Sequence, residues 1–242
     1  MRKRNFLPDP DGVLLVDKPC EWTSHDIVAK VRNHFQLNKT GHGGTLDPNA
    51  TGLVVLLIGR GTQLSARIMG GDKTYEGEIL LGVETNSQDT DGETTSEKDP
   101  SGVTEEQLRT EIKKALGDQM QMPPMVSAIK MNGVPLYKLA RKGQEVVREP
   151  RFIHIYKFAL HEFNPPRFTF EVKSTKGTYV RTLAHDLGQR LGCGACLSQL
   201  RRTQSGDFSL SKAWKLEDVL KWIARNLKNT SFLLINCPDA SR

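Results

Sequence analysis

Gly41-His42-Gly43-Gly44-Thr45-Leu46-Asp47-Pro48-Asn49-Ala50-Thr51-Gly52, with the apolar run Leu53-Val54-Val55-Leu56-Leu57-Ile58 behind it, decides how this chain is read. Four glycines within these twelve residues give the backbone access to positive φ and to close approach by a ligand. One carboxylate, Asp47, stands in the middle, and Pro48 biases it away from helix. The run behind it is too short for a membrane span and predicts a buried strand. A small-residue loop that carries one acid and leads into a core strand can present a catalytic group from a rigid base. The same composition suits a tight turn whose Asp caps backbone amides. The loop is not G-x-G-x-x-G, because position 46 is Leu, and not a P-loop, because no Lys-Ser/Thr follows Gly52. Phosphate cradling is therefore disfavoured.

A chain of 242 residues can bury a sizeable core, as one domain with an appendage or as two small ones. Its net charge of +6 points mildly toward a polyanionic partner. Met1-Arg2-Lys3-Arg4 is basic, but no apolar stretch follows it, so neither a secretory leader nor a membrane span is expected and the expected location is cytoplasmic. The cysteines are Cys20, Cys193, Cys196 and Cys237. Cys193-Gly194-Ala195-Cys196 has the spacing of a metal or redox pair, yet it supplies only two ligands, and small core residues are the plainer reading.

Around the central loop, strand and helix patterns alternate. Residues 12–18 predict a strand that Pro19 stops. Thr23-Ser24 offers an N-cap, and Ile27, Val28, Val31 and Phe35 recur at helical spacing, which predicts a helix over 24–35. Residues 62–69 predict a short helix with Leu64 and Ile68 inward. Residues 73–81 predict a strand in which Tyr75 reads as a half-buried aromatic. Residues 84–100 are polar, acidic and turn-rich, and predict an exposed loop without the calcium-loop register. Thr104 and Gln107 open a capping box for a helix whose inner face is Leu108, Ile112, Ala115 and Leu116, ended by Gly117.

From Lys138 to Arg181 ten Lys and Arg face four Asp and Glu. Such a segment, punctuated by Gly and Pro, suits either a solvated charged face or the gripping of a nucleic-acid backbone. Strands are expected over 151–160 and 167–174, the second with Phe168, Phe170 and Val172 inward. A helix follows, with Thr178 as its cap and Val180, Leu183, Ala184, Leu187 and Leu191 on its buried face, leaving Arg181 and His185 on the other. Arginine in a first helical turn opposes the dipole, which implies a nearby carboxylate or phosphate, unless Arg181 is a plain surface residue. A last amphipathic helix presents Leu216, Val219, Leu220, Ile223 and Leu227.

The loop resembles the signature G-H-x-G-x-L-D-P-x-A-T-G of the TruB family of RNA pseudouridine synthases. Further matches are Gly12-Val-Leu-Leu-Val-Asp-Lys-Pro with Thr23-Ser24-His25, the P-P-x-x-S-A-x-K…Y-x-x-A-R-x-G segment from Pro123 to Gly143, Ser174 to Gly188, and Leu200-Arg201-Arg202-Thr203. The resemblance spans roughly Gly12 to Phe208. It implies an α+β pseudouridine synthase fold, a mixed and mostly antiparallel sheet flanked by helices. About thirty residues after Phe208 are too few for the C-terminal PUA domain of many members. A catalytic domain over 1–210 and a helical tail over 211–242 are expected.

The resemblance also assigns roles. Asp47 is the catalytic residue, Tyr75 stacks on the target base, and Arg181 pairs with Asp47 and keeps it ionised. His42 wedges into the RNA, while Lys18, Lys130, Arg141, Tyr179, Leu200 and Arg202 join the RNA contacts. Lys18 could also shape the active site, or simply be a solvated strand-end lysine. The implied reaction flips a uridine at position 55 in the T arm of tRNA and rejoins its base through carbon. It needs no cofactor and no metal, and the expected partner is tRNA, with no membrane and no obligatory protein partner. Competing readings are an RNA-binding, tRNA-folding module with secondary or no catalysis, and a zinc or thiol enzyme using Cys193 and Cys196.

Overall fold

Every residue of Leu53–Ile58 is buried, as in strands covered on both faces. The computed structural model describes residues 10–127, 130–131, 133–136, 144 and 146–226. In chain order its strands begin with β1 (Gly12–Lys18), β2 (Thr40–His42), β3 (Thr51–Ile58), β4 (Lys73–Leu81), β5 (Val83–Thr85), β6 (Thr94–Glu97) and β7 (Gly117–Gln121). They continue with β8 (Lys130–Met131), β9 (Val134–Pro135), β10 (Arg151–Asn164), β11 (Arg167–Ser174), β12 (Ala195–Ser205), β13 (Phe208–Ser209) and β14 (Trp214–Lys215). The helices are α1 (Ser24–Phe35), α2 (Ser65–Gly70), α3 (Glu105–Lys114), α4 (Val180–Leu191) and α5 (Leu216–Asn226). The described residues fall into two compact units, one drawn from Met1–Thr74 and Arg201–Arg242, the other from Tyr75–Leu200.

In the first unit the strand order is β14-β1-β3-β12. β1 runs antiparallel to β3 from Gly12↔Ile58 to Lys18↔Gly52, whereas β14 and β12 join in parallel. Val13, Leu15, Leu53, Val55, Leu57 and Ile68 form its core. α1 starts at a capping box between Thr23 and Asp26 and buries Ile27, Val28 and Val31. The helix expected over 62–69 begins instead as a 3-10 turn, Gly59–Leu64, that runs into α2.

In the second unit β4, β11, β10 and β7 lie in that order. Phe168, Phe170 and Val172 of β11 turn inward with Ile153, Ile155 and Phe158 of β10. α3 and α4 cover them with Leu108, Ile112, Leu183, Ala184 and Leu187. Cys193 and Cys196 are free and buried here, and burial pushes the Cys196 thiol up to about 11. They are small core residues, as the plainer reading has it.

Three expectations are corrected in this unit. Residues 84–100 are a hairpin of β5 and β6 and not a loop; most of 90–99 is exposed as expected, but Thr85 and Ser87 are buried, their hydroxyls satisfied by the carbonyl of Asp89. Leu116 lies outward, 42% exposed, since α3 has ended at Lys114 and the chain is already turning into β7. Thr178 does not cap α4; its hydroxyl donates to Thr175 O, and Tyr179 takes the N-cap position.

Candidate active site

In the first unit the loop that carries Asp47 leaves β2 and enters β3. β1 occupies one edge of β3. The other edge is shared: β2 pairs with Leu56–Ile58 and β12 with Thr51 and Gly52. Between these partners the carbonyls of Leu53 and Val55 need donors. Gly43 N–H donates to Val55 O at 2.8 Å, and Arg202 Nε donates to Leu53 O at 2.8 Å.

The remaining guanidinium hydrogens turn to the loop itself, where Nη1 donates to Thr45 O at 3.2 Å and Nη2 to Gly44 O at 3.1 Å. Leu46 is held by its N–H, which donates to Ser24 Oγ at 2.8 Å. On the far side Lys18 Nζ donates to Pro48 O at 2.7 Å, and also to Pro19 O and Trp22 O at 2.9 and 2.6 Å. Residues 44, 45, 46 and 48 are thus each tied by a distant side chain, and half-buried Asp47 stands among them. Gly52, at φ +99°, is required here, because a Cβ would overlap the backbone of Arg202.

Lys18 and Arg202, expected against RNA, are 0% and 1% exposed. Carbonyl oxygens complete their hydrogen bonding, so they hold the protein's own backbone. Burial drives the Lys18 ammonium down to about 8, with Cys20 and Asp47 pulling the other way. Nothing in the sequence marks these two cations as interior. His42 is half-buried and accepts a hydrogen bond at Nδ1 from Gly44 N–H at 3.3 Å. Burial, reinforced by Arg202 and His25, lowers its pKa and favours the neutral ring.

In the second unit Arg181 is not on an exposed helix face; it is 4% exposed. Its Nη1 donates to Ser87 O at 2.9 Å and its Nη2 to Val126 O at 2.8 Å, with the Asp89 carboxylate 3.5 Å from Nη1. The carboxylate implied by its unfavourable helical position thus includes Asp89, which the sequence reading passed over as part of an acidic loop. Burial raises the Asp89 pKa, while Ser87 and Arg181 oppose the rise. Tyr179 is fixed through its backbone: its N–H donates to Gln121 Oε1 at 2.8 Å, and Gln121 Nε2 donates back to Tyr179 O at 3.0 Å. Gln121 is buried and was also missed. Tyr75 and Leu200 are half-buried against the core of this unit. The expectations for Arg141 and for the side chain of Lys130 fall outside the described residues.

Among the described residues no helix is long and apolar enough to cross a membrane. No group of three or more His, Cys, Asp or Glu there could hold a metal ion.

The chain superposes on a chain of the crystal structure of a Cbf5-Nop10-Gar1 complex with a TM-score of 0.72 and 28% identity, over 92% of this chain and 58% of that one. With a family match over most of its length, that likeness defines the class as the pseudouridine synthase fold. Residues 32–180 match the description TruB family pseudouridylate synthase (N terminal domain), and residues 181–235 match the tRNA pseudouridylate synthase B C-terminal domain. A relative from Opitutus terrae, named tRNA pseudouridine synthase B, is 56% identical over 209 residues, 86% of this chain and 87% of its own. One of the same name from Geobacter sulfurreducens is 43% identical over 230 residues, 95% of this chain and 75% of its own. The chain belongs to the TruB family of pseudouridine synthases, and it is an isomerase.

Proposed function

We propose that this enzyme converts uridine 55 in the T arm of tRNA to pseudouridine, with Asp47 as the catalytic carboxylate. The observation that carries the reading is the loop: Asp47 stands where residues 44, 45, 46 and 48 are all tied down, as a group that must meet a reacting atom requires. The relatives' names support tRNA as the substrate. The T arm and position 55 rest on the motif resemblance.

The target nucleotide leaves its stack, neutral His42 fills the gap, and Tyr75 holds the flipped base. Two first steps fit a carboxylate at this place: attack on ribose C1′, or removal of the C2′ proton. On the first route an Asp47–C1′ ester forms as N1–C1′ breaks and is displaced when C5–C1′ forms; on the second the C2′ proton leaves as N1–C1′ breaks and is returned as C5–C1′ forms. In either case uracil turns between the two steps, and the C5 proton is lost while N1 gains one. No electrons are exchanged with another molecule. The motif resemblance assigns Arg181 to the catalytic set as well. Tyr179 and Leu200 contribute to the RNA face, as do Lys130 and Arg141. Of the expected tail, residues 211–226 are described, with β14 beside β1 and α5 after it, and 227–242 lie outside the described residues. The enzyme acts in the cytoplasm without an obligatory protein partner.

The test is pseudouridine formation by the purified protein on an unmodified tRNA transcript in EDTA, with Asp47→Ala in parallel and the modified position mapped. Product in the T arm from the wild type alone supports the reading. Tight tRNA binding without product from either protein overturns it in favour of a folding module.

A further inference from the structure

A buried guanidinium bonded to three main-chain carbonyls is an unusual way to use an arginine, because no carboxylate is needed to explain the geometry. The acceptors of Arg202 are not scattered. Gly44 O and Thr45 O lie just before Asp47 in the loop, and Leu53 O lies at the start of the strand beyond it. One rigid fork therefore fixes both ends of the segment that carries the carboxylate. The backbone of Arg202 adds a third restraint, since it pairs with Gly52 through the parallel β12–β3 ladder. Thr51 next door pairs with Arg201, whose side chain donates to Thr51 Oγ1 at 3.3 Å and to the Asp17 carboxylate at 2.7 Å. The two adjacent arginines thus divide: Arg201 ties Thr51, where β3 begins, to the end of β1, and Arg202 reaches the carbonyls just before Asp47.

We propose that Arg202 is a positioning residue for the isomerisation, setting where Asp47 stands by clamping the carbonyls of Gly44, Thr45 and Leu53. The inference rests on the reading that Asp47 is catalytic. Arg202 does not touch RNA; it acts through the loop. Its loss releases the loop without removing the RNA-facing groups, so the rate of the chemical step falls while RNA affinity is kept. A shift of about 1 Å at a reacting group is enough for a loss on the order of a hundredfold. Lysine in its place supplies a charge but not a planar fork, and serves one or two of the three carbonyls.

The experiment measures single-turnover pseudouridine formation and equilibrium binding on an unmodified tRNA transcript. The proteins are wild type, Arg202→Ala, Arg202→Lys, Gly44→Ala and Asp47→Asn, each first checked for a cooperative thermal melt. Arg202→Ala is expected to lose about a hundredfold in rate, with the binding constant within about threefold of wild type, and to recover part of the rate in added guanidinium ion at sub-denaturing concentration. Arg202→Lys is expected to fall between. Gly44→Ala disturbs the same contact from the loop side, because Gly44 has φ +140° and a Cβ would lie 3.6 Å from Arg202 Nη1. It is expected to lose rate with affinity kept even if the Arg202 variants do not fold. Wild-type rates in folded Arg202 variants overturn the inference. So does a loss shared equally between rate and affinity with no guanidinium recovery, which a general loosening of the fold would give. Full activity in Asp47→Asn overturns instead the underlying reading of Asp47, and is told apart by that variant alone.

Discussion

Arg202 and Arg181 are buried to nearly the same degree, 1% and 4% exposed, by different means. Arg202 meets three carbonyls drawn from one loop and the strand it leads into. Arg181 meets two carbonyls from separate segments, Ser87 and Val126, with the Asp89 carboxylate beside it. The first arrangement fixes a backbone path. The second balances a charge, and Asp89 needs that balance because burial holds its pKa up. An interior arginine is therefore not one kind of object: its acceptors decide whether its removal loosens a loop or strands a carboxylate.

The largest effect is expected at Arg181. Arg181→Met leaves Asp89 without a neighbouring cation and should cost about 3–5 kcal/mol in urea unfolding. Adding Asp89→Asn should return part of that loss, and strictly additive losses would break the contrast. Arg202→Met should cost less, about 1–3 kcal/mol, because it leaves no charge and only Leu53 of its three acceptors is a buried residue, water reaching Gly44 and Thr45. Adding Asp89→Asn there should change nothing beyond its own effect, within about 0.5 kcal/mol.

Lys18 sharpens the comparison through pH. Its folded value of about 8 lies below the ordinary 10.5, so between these values the unfolded chain holds more protons than the native one, and stability contributed by this group rises with pH. Wild type should gain on Lys18→Met as unfolding is followed from pH 8 to 10.5; a flat difference would mean that the ammonium is not buried at a cost. The smallest effect belongs to His42. Its pKa lies below the ordinary value, so the unfolded chain takes up the proton first as pH falls through about 6.5, and native stability declines there. His42→Asn should show a shallower acid decline in the same unfolding series.

The sequence made the strands and the loop legible because they rest on local signals: the run Leu53–Ile58, the alternation Phe168, Phe170, Val172, and the caps at Thr23 and Thr104. The glycine loop was legible as a site for the same reason, since its composition and its one acid lie together. The burial of Lys18, Arg181 and Arg202 was not. A cation is solvated by default, and what takes each of these inside is a set of carbonyls up to 158 residues away in the chain. The segment 84–100 misled similarly: its hydroxyls bond the Asp89 carbonyl and its main chain supports Arg181 through Ser87 O, a long-range use that composition does not encode.

The edge of β3 that passes from β2 to β12 also sets a schedule. Everything in the Asp47 loop lies within the first 58 residues of the chain, but the fork that holds it belongs to residue 202, and Arg202 is separated from Leu53 by 149 positions. During synthesis at about 5–20 residues per second, the loop waits roughly seven to thirty seconds for its clamp. Over that interval the nascent protein holds the acid but not the order around it. Competence for the reaction should therefore arrive abruptly, when β12 joins a strand made long before.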